Sequence, residues 1–350
     1  MTIRRLSAFA SICITAFLGT IFSNAGAAQA QDAPYKGKQV RMVIASGAGG
    51  GYDTYARVLS RHMPRYIPGN PNFVDQNMPG ASGVAATVWG AKAAPKDGSV
   101  IVSTYNALLL EPLFGNSSTD YDPREYEWVG SIGKQQNICV TWHTNPIKTI
   151  DQAKQQEVKV SSTGATGNSG TLPKIVNAML GTKFKIIGGY TTSESRLAVE
   201  RGEVDGICGL SWATLKASNP DWIQNKRMNI LLQTGETAQA ELPDVPLLYN
   251  LVSKPEDKQV LKLLFVSEDM GRPFGMPPGT PKALVEIMRK GFDATMKDKQ
   301  FLAEADKAQM EVDPVKGADM QKILADVYAT PKALVDKASD FLGRQTAQAK

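Results

Sequence analysis

The segment that decides the fold class is residues 40–53, which read VRMVIASGAGGGYD. Its first six residues are mostly apolar and predict a buried strand, Val40–Ala45. The small residues that follow predict a tight loop, and Asp53–Met63 carries apolar side chains at helical spacing. A strand, a glycine-rich loop and a helix in succession form the repeating unit of an α/β protein.

The same unit recurs along the chain. A second one combines a strand at Asn72–Asp75, a loop at Asn77–Gly83 and a helix at Val84–Ala94, followed by a strand at Val100–Thr104. The middle of the chain repeats the pattern, with these predicted elements: strand Val158–Ser162, loop Thr163–Thr171, helix Leu172–Leu180 with Pro173 in its first turn, strand Phe184–Ile187, loop Gly188–Ser193, helix Glu194–Arg201 and strand Val204–Leu210. Two long amphipathic helices, Pro281–Met296 and Ala318–Phe341, are predicted after a proline-rich joint.

The length of 350 residues indicates two domains. Because no low-complexity linker separates them, we expect the chain to pass between the domains more than once. The predicted first domain comprises residues 31–135 and 235–350, and the second comprises residues 136–234. We expect the hinge near Gly130–Val140 and Ile230–Thr234.

The first thirty residues have the plan of a secretory signal peptide. Arg4 and Arg5 form a basic head, Leu6–Phe22 is mostly apolar, and Ala28-Gln29-Ala30 supplies small residues for cleavage. A membrane anchor is the alternative, but polar residues and a glycine interrupt the apolar run. Cleavage after Ala30, within three residues, leaves 320 of the 350 residues and lowers the formal net charge from +5 to +3, since two arginines and no acids are lost.

Export would place the protein in the periplasm, an oxidising compartment where disulfides are permitted. The cleaved chain keeps two cysteines, Cys139 and Cys208. The sequence leaves two alternatives open, a disulfide between them or two buried free thiols.

Composition argues against several function classes. His62 and His143 are the only histidines, so a histidine-built metal site is not expected. The basic residues are scattered among acids, which argues against a nucleic-acid partner. The loop after the first strand fails the dinucleotide fingerprint at Tyr52 and has no P-loop lysine, so no cofactor is expected.

An exported serine hydrolase is the enzymatic alternative. Ser131 and Lys134 match S-x-x-K, but the companion motifs S-D-N and K-T-G are absent, as is a G-x-S-x-G elbow. We expect both histidines to be exposed or capped rather than catalytic, so no catalytic residue is assigned.

Four loops share one physical property: Ser46–Tyr52, Asn77–Gly83, Thr163–Thr171 and Gly188–Ser193 each follow a strand, precede a helix and are built of small or polar residues. Small side chains let a ligand approach the backbone, and the helix behind each loop offers free N–H groups and a positive dipole end. Ligands of parallel α/β sheets bind at such loops. Thr191 and Glu194 fit a capping box, which is a purely structural role for that pair. Five aromatic residues near strand ends or loops could line a pocket or belong to the core: Tyr52, Tyr105, Trp142, Tyr190 and Trp212.

Several of these segments resemble one family in order along nearly the whole mature chain. The resemblance rests on residues 37–44 (GKQVRMVI), 49–53 (GGGYD), 56–57 (AR), 77–83 (NMPGASG), 94–98 (APKDG), 162–164 (STG), 202–205 (GEVD), 242–246 (LPDVP) and 278–281 (PGTP). The chain therefore resembles the Bug-type periplasmic substrate-binding proteins of tripartite tricarboxylate transporters. The resemblance implies two α/β domains of the periplasmic binding-protein type II kind, with the ligand in the cleft between them.

The resemblance also implies capture of a small organic acid without chemistry. Two loops of the first domain are expected to grip one carboxylate through backbone N–H groups and ordered water, at Ser46, Gly49, Gly50, Gly51, Tyr52 and Asp53, and at Asn77, Pro79, Gly80, Ala81, Ser82 and Gly83. The second domain is expected to hold the other end of the ligand at Ser162, Thr163, Gly164, Thr166, Tyr190, Thr191 and Asp205.

The implied partners are the ligand and the membrane permease of the transporter, with the binding protein itself a monomer. A sensory binding protein for the same ligands is an alternative that the sequence does not separate from transport. Departures from the family pattern, such as Ser46 for an aromatic residue and Met78 for an arginine, prevent transfer of the solute's identity.

Overall fold

The computed structural model describes residues 33–343, which are folded around two β-sheets. The predicted signal peptide and its cleavage site lie outside the described residues. Within residues 33–343, none of the helices has the length and hydrophobicity needed to cross a membrane.

The strands and helices alternate along the chain as the sequence predicts. The strands are β1 (Gln39–Ile44), β2 (Asn72–Asn77), β3 (Val100–Ser103), β4 (Glu127–Ser131), β5 (Asn137–Trp142), β6 (Val158–Ser161), β7 (Phe184–Ile187), β8 (Gly206–Ser211), β9 (Met228–Gln233), β10 (Pro273–Met276) and β11 (Val315–Lys316). The helices are α1 (Gly51–His62), α2 (Val84–Lys92), α3 (Ile150–Gln155), α4 (Asn168–Leu180), α5 (Thr192–Glu200), α6 (Trp212–Ser218), α7 (Pro220–Gln224), α8 (Leu248–Leu251), α9 (Pro255–Asp269), α10 (Lys282–Thr295), α11 (Lys299–Lys307), α12 (Gly317–Tyr328) and α13 (Lys332–Phe341).

The first sheet has the strand order β11-β4-β10-β3-β1-β2, and the second has the order β7-β6-β8-β5-β9. Strand β1 lies parallel to both β2 and β3, with Ile44 opposite Asn77. Strand β6 lies parallel to β7 and β8, with Ser161 opposite Ile187. Because parallel strands end at the same edge of a sheet, each sheet brings two of the predicted ligand loops side by side.

The chain leaves the first sheet after Ser131, enters the second at Asn137 and returns to the first at Pro273. The first sheet packs its buried residues against α1, α10 and α11. The second sheet shares a hydrophobic core with α4, and α9 and α13 pack into that same core. Two C-terminal helices are therefore attached to the sheet of the middle segment.

Cys139 and Cys208 form a disulfide in the structure, which decides between the two alternatives that the sequence left open. They face each other across the antiparallel strands β5 and β8, and both side chains are fully buried. The bond lies at the centre of the second sheet and joins residues that are 69 positions apart in the sequence.

We expect the C139S/C208S double variant to lose about 2–5 kcal/mol of unfolding free energy, because the disulfide restricts the unfolded chain. Urea unfolding monitored by circular dichroism measures this difference. The parent protein unfolded with a reductant present should show the same loss. Equal stability of parent and variant would mean that the bond contributes nothing.

Two predicted elements differ from the structure. Helix α4 begins at Asn168 rather than Leu172, so Pro173 lies beyond the first turn, inside the helix. The predicted long helix Ala318–Phe341 is two helices, because Pro331 starts a new one as its N-cap residue. The residue before a proline is driven out of the helical conformation, and this signal at Thr330 was available in the sequence.

Candidate functional site

The four predicted loops meet in the structure and contact one another across the two sheets. Ser82 Oγ donates a hydrogen bond to the Thr163 carbonyl at 2.9 Å, and Thr166 Oγ1 donates to the Ala81 carbonyl at 3.2 Å. The first loop lies against the loop after β7: a Cβ added to Gly47 would be 3.7 Å from Thr191 Cγ2. The loops thus enclose the space between the sheets.

Asp53 and Asn77 hold the first loop in shape. The Gly49 N–H donates to Asp53 Oδ2 at 2.9 Å, and Asn77 Nδ2 donates to Asp53 Oδ1 at 2.8 Å and to the Ser46 carbonyl at 2.9 Å. Burial alone would raise the pKa of Asp53, but hydrogen bonds from Arg57, Asn77 and Gly49 hold it below its ordinary value. Asp53 is therefore an ionised anchor of the loop.

The second loop stores backbone strain. Ala81 and Ser82 have φ values of +46° and +56°, a region that L-residues rarely adopt. Strained residues of this kind concentrate at ligand clamps and switch regions. Here the strained pair forms the contacts with Thr163 and Thr166 on the opposite side.

The loops of the second sheet are built by local hydrogen bonds. The Gly164 N–H donates to Ser162 Oγ at 3.1 Å, and this hydroxyl donates to the Gly164 carbonyl at 2.9 Å. The predicted capping box is confirmed, with Thr191 as N-cap of α5 and Glu194 bonding back to the Thr191 N–H.

The loops surround a cavity of about 60 Å³, which has space for several water-sized groups. Three helices begin at this cavity, because Gly51 is the first residue of α1, Asn168 of α4 and Thr192 of α5. The N-cap residues of α1 and α4 make no side-chain cap, so the N–H groups at these two helix ends face the cavity. The ionised Asp53 in the first turn of α1 is engaged by Gly49, Arg57 and Asn77.

Arg272 lies behind the cavity and is 1% exposed. Its Nη2 donates to Ser211 Oγ at 3.1 Å and to Thr214 Oγ1 at 3.0 Å, and both hydroxyls line the cavity. A hydroxyl that accepts from a guanidinium keeps its own proton for another acceptor. Arg272 forms no ion pair with any residue in the described part of the chain, and its Nε has no hydrogen-bond partner.

Two tyrosines hold the Arg272 guanidinium in place. The guanidinium carbon is 4.6 Å from the centre of the Tyr52 ring and 4.8 Å from that of Tyr55. The Tyr52 hydroxyl lies 2.9 Å from Asn106 Oδ1 and 2.8 Å from Gln135 Oε1, and Arg272 Nη1 also donates to Gln135. Burial raises the pKa of Tyr52, so its hydroxyl stays neutral.

Glu268 is the acid of this buried network. It accepts hydrogen bonds from Asn137 Nδ2 at 2.6 Å and from Thr234 Oγ1 at 2.8 Å, where the chain passes between the sheets. Burial raises the pKa of Glu268 to about 8. At neutral pH it is therefore mostly protonated and does not neutralise Arg272.

We expect the stability of the protein to fall as the pH rises from about 4.5 to about 8, because folded Glu268 keeps a proton that the unfolded chain releases. The cost is on the order of 3 kcal/mol at pH 7. Glu268→Gln should remove this slope and unfold at higher denaturant than the parent at pH 8. Denaturant midpoints measured across this pH range report this slope, with the surface variant Glu125→Gln as control. Parallel midpoint curves for the parent and Glu268→Gln would contradict the prediction.

The predicted site residues fall into three groups: those that line the cavity, those in the surrounding loops, and two that lie elsewhere. Gly51, Tyr52 and Thr163 line the cavity. The contacting and supporting loops contain Ser46, Gly49, Gly50, Asp53, Asn77, Pro79, Gly80, Ala81, Ser82, Gly83, Ser162, Gly164, Thr166 and Thr191.

Tyr190 and Asp205 lie elsewhere. Tyr190 lines a separate surface depression with Glu194 and Arg201. Asp205 precedes β8, so it lies at the sheet edge opposite the ligand loops, where it accepts from Asn145 Nδ2 and the Lys159 N–H. The structure thus gives Asp205 a role in joining segments of the second sheet.

Tyr105, named from the sequence as a possible pocket residue, lines the cavity, as do Asn168 and Ser169 of the predicted loop Thr163–Thr171. The sequence analysis did not identify four other cavity residues: Gln135, Ser195, Ser211 and Thr214. The hydroxyl of Ser195 is buried without a hydrogen-bond partner. A strand ending in Ser211 before a helix is an N-cap signal that could have indicated this position. Arg272 carries no comparable signal.

The hydrolase residues do not form a catalytic group. Ser131 Oγ accepts from the Arg272 N–H, whereas Lys134 pairs with Asp313 at the surface. His143 is exposed as predicted. His62 is buried at the C-terminal end of α1, where its ring packs on Phe301 and its Nε2 lies 2.5 Å from Glu304 Oε2. Within residues 33–343, no cluster of three acids, histidines or cysteines could hold a metal ion.

Most of the chain matches one known protein family. Residues 55–339 match the model of the family described as "Tripartite tricarboxylate transporter family receptor". The "UPF0065 protein in gbd 5′region" of Cupriavidus necator is 26% identical, over 89% of this chain and 90% of that protein.

Two solved structures show the same fold. The periplasmic binding protein BugD has a TM-score of 0.72 and 19% identity, covering 89% of this chain and 100% of that one. R. palustris Rpa4515 with adipate has a TM-score of 0.69 and 18% identity, covering 87% of this chain and 97% of that one. This chain therefore has the α/β fold of these two binding proteins.

The chain belongs to the tripartite tricarboxylate transporter receptor family. This confirms the predicted class, a solute-binding protein rather than an enzyme, and the α/β fold expected from the resemblance. Of the two structural relatives, BugD is named a periplasmic binding protein, and Rpa4515 was solved with adipate.

Proposed function

We propose that this protein captures a small organic acid in the cavity between its two sheets and delivers it to a tripartite tricarboxylate-type permease. The observation that carries the proposal is a cavity where the uncapped N-termini of α1 and α4 meet hydroxyls bonded to Arg272. Both features favour an anion.

The charge balance around the cavity supports an acid over a neutral solute. Arg272 is buried without an ionised partner, and such a charge is costly unless something compensates for it. Glu268 is mostly protonated at neutral pH and therefore does not supply the countercharge. A bound carboxylate would supply the missing countercharge through Ser211 and Thr214.

We propose that the ligand is held by the loops predicted for this role, with Gly51, Tyr52 and Thr163 closest to it. The predicted lobes are residues 31–135 plus 235–350 and residues 136–234, with the hinge near Gly130–Val140 and Ile230–Thr234. We propose these lobes with one change: α9 and α13 pack on the second sheet and are assigned to its lobe. Capture is then closure of the lobes over the solute.

The proposed setting is the periplasm, after cleavage near Ala30, with the protein acting as a monomer. Delivery to a permease fits the family, and docking to a signalling receptor is the alternative. Deleting the permease genes separates the two: a transport role requires that uptake of the acid is lost.

A thermal-shift screen of the purified protein against mono-, di- and tricarboxylates, aromatic acids and sulfonates tests the proposal. A ligand at about 100 times its dissociation constant adds about 2.7 kcal/mol of stability. We expect one carboxylate class to shift melting. No shift with any acid, together with turnover of an ester, would overturn the proposal in favour of a hydrolase.

A further inference from the structure

A second and larger cavity lies on the other side of α6 from the ligand cavity. Its volume is about 490 Å³, which falls within the usual range for small-molecule pockets of roughly 300–1,000 Å³. Thr214 of α6 lines the first cavity, whereas Trp212 and Lys216, four residues apart on one face of the helix, line the second. The two cavities are therefore separate sites.

The walls of this second cavity are mainly apolar and aromatic. Ile223 and the β9 residues Met228 and Ile230 are half-buried and form the wall, and β9 is the edge strand of the second sheet. The rings of Trp212 and Trp222 lie behind this wall, with 4% and 0% of their surface exposed. Leu242 closes the cavity on the side of the chain after β9. Such walls favour a flat apolar body.

The charges at this cavity leave an excess of one cation. Glu241 accepts hydrogen bonds from Trp212 Nε1 and from Lys216 Nζ, so its charge is matched by Lys216. Lys226 also lines the cavity, is exposed, and forms no ion pair with any residue in 33–343. The unmatched ammonium group is suited to an anionic substituent on the occupant.

Two lining residues adopt a backbone conformation that glycine would adopt without strain. Lys226 and Gln309 have φ values of +50° and +52°, and each follows the C-terminus of a helix, α7 and α11. The Arg227 N–H bonds to the Trp222 carbonyl and the Met310 N–H to the Ala305 carbonyl, the pattern of helix ends that usually carry glycine. Helix capping alone does not explain why these positions carry long polar side chains that line a cavity.

The same kind of strain marks the first cavity. Among residues 33–343 only five non-glycine residues have a positive φ; two of them, Ala81 and Ser82, lie in the ligand loops, and two line the second cavity. We propose that the second cavity binds an aromatic carboxylate or sulfonate, with its rings against Ile223, Met228 and Ile230 and its anionic group on Lys226.

Fluorescence titration of the purified protein with 1-anilinonaphthalene-8-sulfonate, an aromatic sulfonate, tests this proposal. We expect one equivalent to bind with enhanced probe emission and quenched tryptophan emission. Lys226→Glu should weaken binding at least fivefold, because it places a like charge beside the sulfonate. Ile230→Trp should weaken it at least tenfold by filling the cavity.

Lys290→Glu, on the exposed face of α10, is the matched charge control and should bind the probe as the parent does. Lys226→Glu is a surface change, and its melting temperature and its binding of acids in the first cavity should be unaltered. Absence of probe binding to the parent, or parent-like affinity in Lys226→Glu, would overturn the proposal. Parent-like affinity in a folded Ile230→Trp variant would overturn it as well.

Discussion

Arg272→Met is expected to lose at least about 30-fold in affinity for the acid that the thermal-shift screen identifies, because truncating one partner of a buried charge contact costs about 2–5 kcal/mol. The variant removes the cation whose Nη2 polarises Ser211 and Thr214. Isothermal titration calorimetry measures the difference.

The unliganded variant should unfold within about 2 kcal/mol of the parent, since an unpaired buried charge is itself costly and a methionine fills similar space. If the variant loses binding but keeps its stability, the charge of Arg272 serves ligand binding rather than folding. Arg272→Lys should bind with intermediate affinity, because lysine keeps the charge but lacks the fork that reaches two hydroxyls.

Arg289→Met is the matched control. Arg289 is a mostly buried arginine of α10 that donates to the Trp128 carbonyl, away from the cavity. It should leave affinity unchanged. If Arg272→Met binds the acid as tightly as the parent does, the anion is held by backbone groups alone and Arg272 has no part in recognition.

Gly51→Ala is expected to lose at least about tenfold in affinity, since even one misplaced contact at a closing interface costs more than 1.4 kcal/mol. A Cβ at Gly51 would lie 2.2 Å from Thr214 Oγ1, so α1 and α6 could not approach as closely as they do. Alanine is preferred over glycine in a helix by about 1 kcal/mol, and the isolated helix therefore gains rather than loses stability.

A second variant makes this test specific to closure. Thr214→Ala removes Oγ1 and Cγ2 and leaves Cβ at 3.1 Å from the added methyl. Because Thr214 also supplies a proposed ligand hydroxyl, the comparison uses a double-mutant cycle, and Gly51→Ala should cost less affinity in the Thr214→Ala background than in the parent. Gly188→Ala is the control, since a Cβ there meets nothing within 4 Å. If Gly51→Ala binds like Gly188→Ala, contact between α1 and α6 is not part of the bound state.

The loops could be predicted from the sequence because each follows directly from a local pattern. The strand before Ser46 and the helix after it are recognisable by periodicity, and parallel pairing then brings Asn77 beside Ile44. The capping box at Thr191 and Glu194 is likewise a three-residue spacing that the structure reproduces.

The buried hydrogen-bonded residues behind the cavity could not be predicted, because they come from distant parts of the chain. Gln135 and Arg272 are separated by 137 positions, yet their side chains are hydrogen-bonded behind the cavity. Neither sits in a motif, and only the crossing of the chain between the sheets brings them together. Asp205 lies at the sheet edge opposite the ligand loops, which the sequence could not show, because a family-like segment gives its order along the chain but not the edge of the sheet.

Calorimetric titration with the identified acid and with its neutral methyl ester tests the central claim most directly, since the two differ mainly in charge. The account predicts saturable binding of the acid with one site per chain, and binding of the ester that is at least about 30-fold weaker or absent. Equal affinity for acid and ester would contradict a site built for an anion, and hydrolysis of the ester by the protein would contradict its assignment as a binding protein.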